Sequence, residues 1–167
     1  MKHQMFSKNE GFSLIEVLTS LLVISLVLGL LLSGLIFVNT IKEKTQVNQK
    51  LYYSERYLNL YFQKQVLKSE TIYYGYNRIY LQDLENPDLY YNYYQYSNGF
   101  LRRYKVYKDG LNPIGSGGNS QFADNIQSFS LTLGPNKEIL LKYTLAIDGE
   151  VYRRETTIKH GRTVVIL

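Results

Sequence analysis

The stretch Gly11-Phe12-Ser13-Leu14-Ile15-Glu16-Val17-Leu18 decides how this sequence is read. A short leader carrying Lys2 and Lys8 precedes it, and apolar residues follow it as far as Val38. A single carboxylate, Glu16, stands at the head of that run. Carrying an acidic group into the middle of a bilayer costs about 2.5–3.5 kcal/mol on insertion scales, so a glutamate kept here points to a use for it. Residues 17–38 are 22 positions without a charge. At 1.5 Å each they reach about 33 Å, enough to cross a hydrocarbon core of about 30 Å. Gly29, Ser33 and Gly34 are small and allow close helix–helix approach in lipid. A cleavable secretory signal fits less well, because its apolar core is shorter and ends at a small-residue site. Here Asn39-Thr40-Ile41-Lys42 follows instead. A buried core helix also fits less well, since the run is apolar on every side and the rest of the chain is too small to wrap it. The lysines ahead of the span direct the leader toward the cytoplasm and the remainder outside.

Gly11-Phe12-Ser13-Leu14-Ile15-Glu16 resembles the processing site of type IV prepilins and pseudopilins. The resemblance implies that a prepilin peptidase cuts between Gly11 and Phe12 and methylates Phe12, so that Glu16 becomes the fifth mature residue. It also implies assembly with other pilin or pseudopilin subunits into a filament. There Glu16 would pair with the amine of Phe12 from a neighbour, which would offset its desolvation. The alternative is that Glu16 snorkels to the headgroups near the helix start. Many major pilins carry a proline about two thirds of the way along the span. This chain has none there, and Gly29 and Gly34 are left to supply flexibility; a minor subunit is therefore expected.

Beyond Asn39 the pattern stays helical. Val47, Leu51, Leu58, Phe62 and Val66 recur at intervals of four, seven, four and four, and residues 40–68 contain no Gly or Pro, which predicts one helix from about residue 13 to 68. After Ser69 the period shifts toward two. Residues 71–81 read as one strand with Gly75 as a bulge, and Asn86-Pro87-Asp88 as a turn. Residues 89–96 and 100–107 read as a hairpin across Asn98-Gly99. Residues 109–120, with four glycines and one proline, read as an exposed loop. Residues 122–133 read as a strand turned at Gly134-Pro135-Asn136, and residues 139–147 and 150–159 as a hairpin across Asp148-Gly149. Residues 163–167 form an edge strand or dangle. The expected fold is α+β, a long helix (transmembrane, then amphipathic) packed on an antiparallel sheet in pilin-like fashion. The expected divisions are a leader at 1–11, a membrane or filament-core helix at 12–38, its amphipathic continuation at 39–69 and a sheet domain at 70–167.

Composition narrows the chemistry. The chain has no cysteine, so disulfides and thiolate metal sites are excluded. Net charge is +5, and tyrosine is unusually abundant at 17 residues with no tryptophan. Tyr73, Tyr74, Tyr76, Tyr80, Tyr90, Tyr91, Tyr93, Tyr94 and Tyr96, interleaved with Arg102, Arg103, Lys105 and Lys108, suggest nucleic-acid contact, with bases stacking on rings and cations holding phosphates. The alternative is that these tyrosines cover a half-buried sheet. Arg153 and Arg154 point to opposite faces of a strand and make no single patch. Asp83, Glu85 and Asp88 read as solvated charges near a turn, with a calcium site as the alternative. With only His3 and His160 and no thiol, a catalytic role and a cofactor are not expected.

The resemblance implies a minor pilin or pseudopilin in the cell membrane, crossing once, with its sheet domain outside and a cell-surface filament after assembly. Three machines fit it: a competence pseudopilus importing DNA, a type IV pilus and a type II secretion pseudopilus. The lack of cysteine and the Tyr-, Asn-, Lys- and Ile-rich composition lean toward Gram-positive competence. The late Asn125-Ile126-Gln127-Ser128-Phe129-Ser130 segment after a long helix resembles ComGF-like competence subunits. A membrane-anchored binding protein that never polymerises is the alternative of another class.

Overall fold

The structure, a computed structural model, describes residues 13–167, with residues 116 and 117 described by backbone alone. Among these, α1 (Leu14–Lys68) is one helix of 55 residues. By internal contacts the chain divides into two compact units, Met1–Gln46 and Val47–Leu167. In the first unit the side chains of α1 from Leu14 to Ile41 are exposed throughout. Four of the five hydroxyls of that stretch bond back within the helix: Thr19 donates to the Ile15 carbonyl at 2.9 Å, Ser25 to Leu22 at 2.7 Å, Ser33 to Gly29 at 2.9 Å and Thr40 to Ile36 at 3.0 Å. Back-bonding of this kind hides polar groups from an apolar solvent.

In the second unit the helix meets two sheets. The strands are β1 (Thr71–Gly75), β2 (Arg78–Gln82), β3 (Tyr90–Ser97), β4 (Phe100–Tyr107), β5 (Asn119–Ala123), β6 (Ile126–Leu133), β7 (Ile139–Ile147), β8 (Glu150–Ile158) and β9 (Thr163–Ile166). Six of them form one sheet in the order β5-β4-β3-β2-β1-β9, and three form another in the order β6-β7-β8. Leu58, Phe62 and Val66 of α1 are buried in one core with Ile72, Ile79, Leu81 and Leu101 of the larger sheet. Ile139, Leu141, Tyr143 and Leu145 of the smaller sheet join the same core, and Val47 and Leu51 pack against its edge. The stripe spaced by fours is therefore the face that docks on the sheets. The Asn98-Gly99 and Asp148-Gly149 hairpins form as expected, with φ of +52° and +84°, and +49° and +88°. Such turns need left-handed backbone that Asn, Asp and Gly tolerate.

Four expectations are corrected. Residues 71–81 are not one strand bulged at Gly75. They are β1 and β2, reversed by Tyr76 and Asn77 at φ +52° and +57°. Residues 122–133 likewise divide: Asn125, at φ +57°, sends β5 to one sheet and β6 to the other. The stretch after β4 is only partly an exposed loop. A single 3-10 turn (Gly115–Gly118) leads into β5, Pro113 bridges to Val106, and Leu111 packs on Tyr80, Tyr91, Tyr93 and Val106. The tail forms the edge strand β9, but it pairs in parallel with β1, Thr71 facing Thr163 and Tyr74 facing Ile166, so the larger sheet is mixed.

Candidate functional site

The first turn of α1 is built by two residues. Ser13 and Glu16 are spaced as the Ser-x-x-Glu capping box, in which each side chain satisfies the other's backbone amide. The Ser13 amide donates to Glu16 Oε2 at 2.8 Å, and the Glu16 amide donates toward Ser13 Oγ at 3.3 Å. The first turn of a helix leaves amides without partners and carries partial positive charge, so a carboxylate at this position is stabilised twice. Glu16 is thereby held at the mouth of the apolar segment with its second oxygen free of any bond among the described residues. The sequence reading missed the role of Ser13, although its spacing to Glu16 was the signal. Gly11 and Phe12, the expected processing and methylation positions, lie outside the described residues.

Of the cations expected to contact nucleic acid, Arg102, Arg103 and Lys105 are not gathered on one surface. Arg102 and Arg103 are successive residues of β4 and face opposite sides of the sheet. Arg103 shares its face with Tyr94, its partner across β3. Its own burial works against its charge, yet the nearby Tyr61 and Tyr94 hydroxyls and Asp83 hold its pKa above the usual arginine value. Lys105 is committed to Asp83 at 3.2 Å and lies over the Tyr90 ring at 5.2 Å.

Asp83 is no solvated loop charge. Its side chain is buried, and it accepts bonds from Asn92 Nδ2 at 2.8 Å and from the Asn86 and Glu85 amides at 2.9 and 3.0 Å. Burial alone would raise its pKa, but these donors and Lys105 outweigh it and hold the carboxyl below its ordinary value. It organises the turn between β2 and β3.

The tyrosines divide between both faces of the larger sheet. Tyr94 is buried against α1, where its hydroxyl meets that of Tyr61 at 2.7 Å and accepts from Gln65 at 3.2 Å. On the opposite face Tyr80, Tyr91 and Tyr93 are buried, with Tyr93 stacked on Tyr104 at 4.8 Å. Arg78 lies over the Tyr93 ring at 4.5 Å. Tyr76, at the β1–β2 turn, is 86% exposed. Most of the tract is packing. Of the two arginines on β8, Arg154 is spent on an ion pair with Glu55 of α1.

Residues 6–32 match the family described as the prokaryotic N-terminal methylation motif. No curated protein and no solved structure matches the chain. The motif supports a relationship with the type IV pilin and pseudopilin family, and implies processing by prepilin peptidase and assembly with other pilins. One helix among the described residues is long and apolar enough to cross a membrane. With the motif, this suggests membrane anchoring.

Proposed function

We propose that the chain is a minor pilin-like subunit, stored in the membrane through residues 12–38 and drawn into a filament after cleavage between Gly11 and Phe12 and methylation of Phe12. The observation that carries this reading is the carboxylate of Glu16 fixed at the head of an exposed apolar helix. In lipid that carboxylate lies near the headgroups; in a filament it meets the new amine of Phe12 from a neighbouring subunit. Pairing offsets the cost of burying either charge, and each subunit is then seated in register against the last. Residues 1–11 are the leader, residues 39–69 carry the helix into the sheet domain, and residues 70–167 face outward on the non-cytoplasmic side. The role is mechanical and needs neither catalysis nor a cofactor.

The machine that best suits the chain is a DNA-uptake pseudopilus of natural competence. The cysteine-free composition and the ComGF-like segment at residues 125–130 support this finer reading. A type IV pilus or a type II secretion pseudopilus would use the same anchor. Shearing the surface fraction from the native host tests the central reading. The chain should appear there with other pilin-like subunits, and Gly11→Leu should leave it in the membrane. Absence of the wild-type chain from the sheared fraction would favour an anchored protein that never polymerises, and equal recovery of Gly11→Leu there would contradict entry by cleavage after Gly11.

A further inference from the structure

The face of α1 turned away from Leu58, Phe62 and Val66 is only partly covered: Tyr61 meets Tyr94 and Phe122 and Tyr57 lies beside Phe122, while Tyr53, Arg56, Leu60 and Lys64 are open to solvent. Tyr53, Tyr57, Leu60, Tyr61 and Lys64 are spaced by four, three, one and three, so they line one side of the helix. With Arg56 they form a groove of about 350 Å³. Tyr53 and Tyr57 are 67% and 53% exposed, unlike the buried tyrosines of the sheet. Arg56 lies over the Tyr52 ring at 5.9 Å and donates to its hydroxyl at 2.8 Å. The one acid among residues 47–68 is Glu55, and it is occupied by Arg154. The residues that line the groove thus set the rings of Tyr53 and Tyr57 beside the cations of Arg56 and Lys64 with no carboxylate among them; Asp124 lines the neighbouring cleft on the other side of Tyr57.

We propose that this helix face binds single-stranded nucleic acid, with Tyr53 and Tyr57 stacking on bases and Arg56 and Lys64 holding phosphates. Rings that accept any base, set beside cations that track the backbone, are the elements of sequence-tolerant single-strand binding. Arg56 and Lys64 are eight residues apart, about 12 Å along the axis. That is the length of three to four nucleotides at about 3.4 Å per stacked step. The site rests on the DNA-uptake reading above and names where such a subunit would touch its cargo.

The full chain in an uncharged detergent, titrated against fluorescein-labelled dT20 across a salt series and read by fluorescence anisotropy, tests the assignment. The wild type should bind, and more weakly as salt rises. Arg56→Ala with Lys64→Ala should lower affinity at least tenfold. It should also reduce the slope of log K against log salt by about 1.4, at about 0.7 per cation on single strands. Tyr53→Leu with Tyr57→Leu should lower affinity at least fivefold with the slope unchanged, and unaltered melting temperatures would show that the variants fold. Arg102→Ala, on the opposite face of β4, should change neither quantity. Absence of salt-dependent dT20 binding would overturn the proposal, as would an equal loss in Arg102→Ala. A photo-crosslinker at position 57 that captures another subunit, with dT20 left unbound, would overturn it in favour of a protein interface. Processing at Phe12 is read by mass and is independent of these outcomes, so the filament reading and the groove assignment fail separately.

Discussion

Ser13 and Glu16 cap the same helix end reciprocally: the amide of Ser13 is bound by the carboxylate of Glu16, and the hydroxyl of Ser13 faces the amide of Glu16. One carboxylate therefore has two separable properties, a hydrogen-bonding shape that closes the cap and a negative charge.

Glu16→Gln separates the two. Glutamine serves a capping box as glutamate does, so the variant should keep its helix start and insert normally. It has no charge to pair with an amine and should be lost from the sheared filament fraction. Glu16→Val should likewise insert and fail to incorporate. Immunoblots of the membrane and sheared fractions measure both. Normal incorporation of Glu16→Gln would show that capping suffices and would remove the charge-pairing account.

The apolar anchor was legible in the sequence because it depends on a run of neighbours, and the docking stripe because its period is that of a helix. The strand breaks were less legible. Tyr76 and Asn77 reverse the chain between β1 and β2, yet Tyr is a rare occupant of left-handed backbone, and alternation continues across the turn. The same continuity concealed the break at Asn125. The parallel pairing of β9 with β1 joins residues about 90 positions apart, and no local pattern reports that. The capping partner Ser13 was readable from its spacing to Glu16. The helix-face groove was not, because its tyrosines and those of the sheet interior look alike until burial separates them.

Phe62 is the residue on which docking of the second half of α1 depends most. It is wholly buried and its ring meets Tyr94 at 4.8 Å, Phe129 at 5.3 Å and Phe122 at 5.8 Å. Phe62→Ala should destabilise the Val47–Leu167 unit by about 3–5 kcal/mol, read as a lowered denaturation midpoint of the full chain. A loss below about 1 kcal/mol would mean that α1 does not hold the sheets together through this ring.

A polar clamp on the same helix is expected to matter less. Asn59 Oδ1 accepts from the Tyr143 and Thr156 hydroxyls at 3.3 and 3.2 Å, and Glu55 pairs with Arg154. Asn59→Ala should cost about 1–3 kcal/mol by leaving those donors without a partner. Chemical denaturation of this variant beside Phe62→Ala ranks the two contributions. A larger loss in Asn59→Ala would reverse the order argued here.

Stability should fall at both ends of the pH range, for different reasons. The Asp83 carboxyl is held below its ordinary value in the fold, because donors from Asn92, Asn86, Lys105 and Glu85 outweigh the effect of burial. It therefore stabilises the fold above the unfolded carboxyl's titration, and this is lost as pH falls through the folded value. Asp83→Asn should flatten the acid limb of the stability curve. Tyr91 and Tyr143 are pushed up to about 12, chiefly by burial. In the unfolded chain they ionise near 10. Their contribution is intact below pH 10 and fades as pH rises from there toward 12. Burial also holds Tyr94 well above its ordinary value, so tyrosinate absorbance should show Tyr91, Tyr94 and Tyr143 titrating late in the folded protein, and their titration with the exposed rings would contradict the burial described here.

The measurement that bears most directly on the central claim is the mass of the mature amino-terminal peptide of the chain from its native host. Cleavage after Gly11 and methylation predict a peptide that begins at N-methylated Phe12 and contains Glu16 as its fifth residue. A peptide that still carries residues 1–11 would contradict the account and leave a membrane-anchored protein that does not enter a filament by this route.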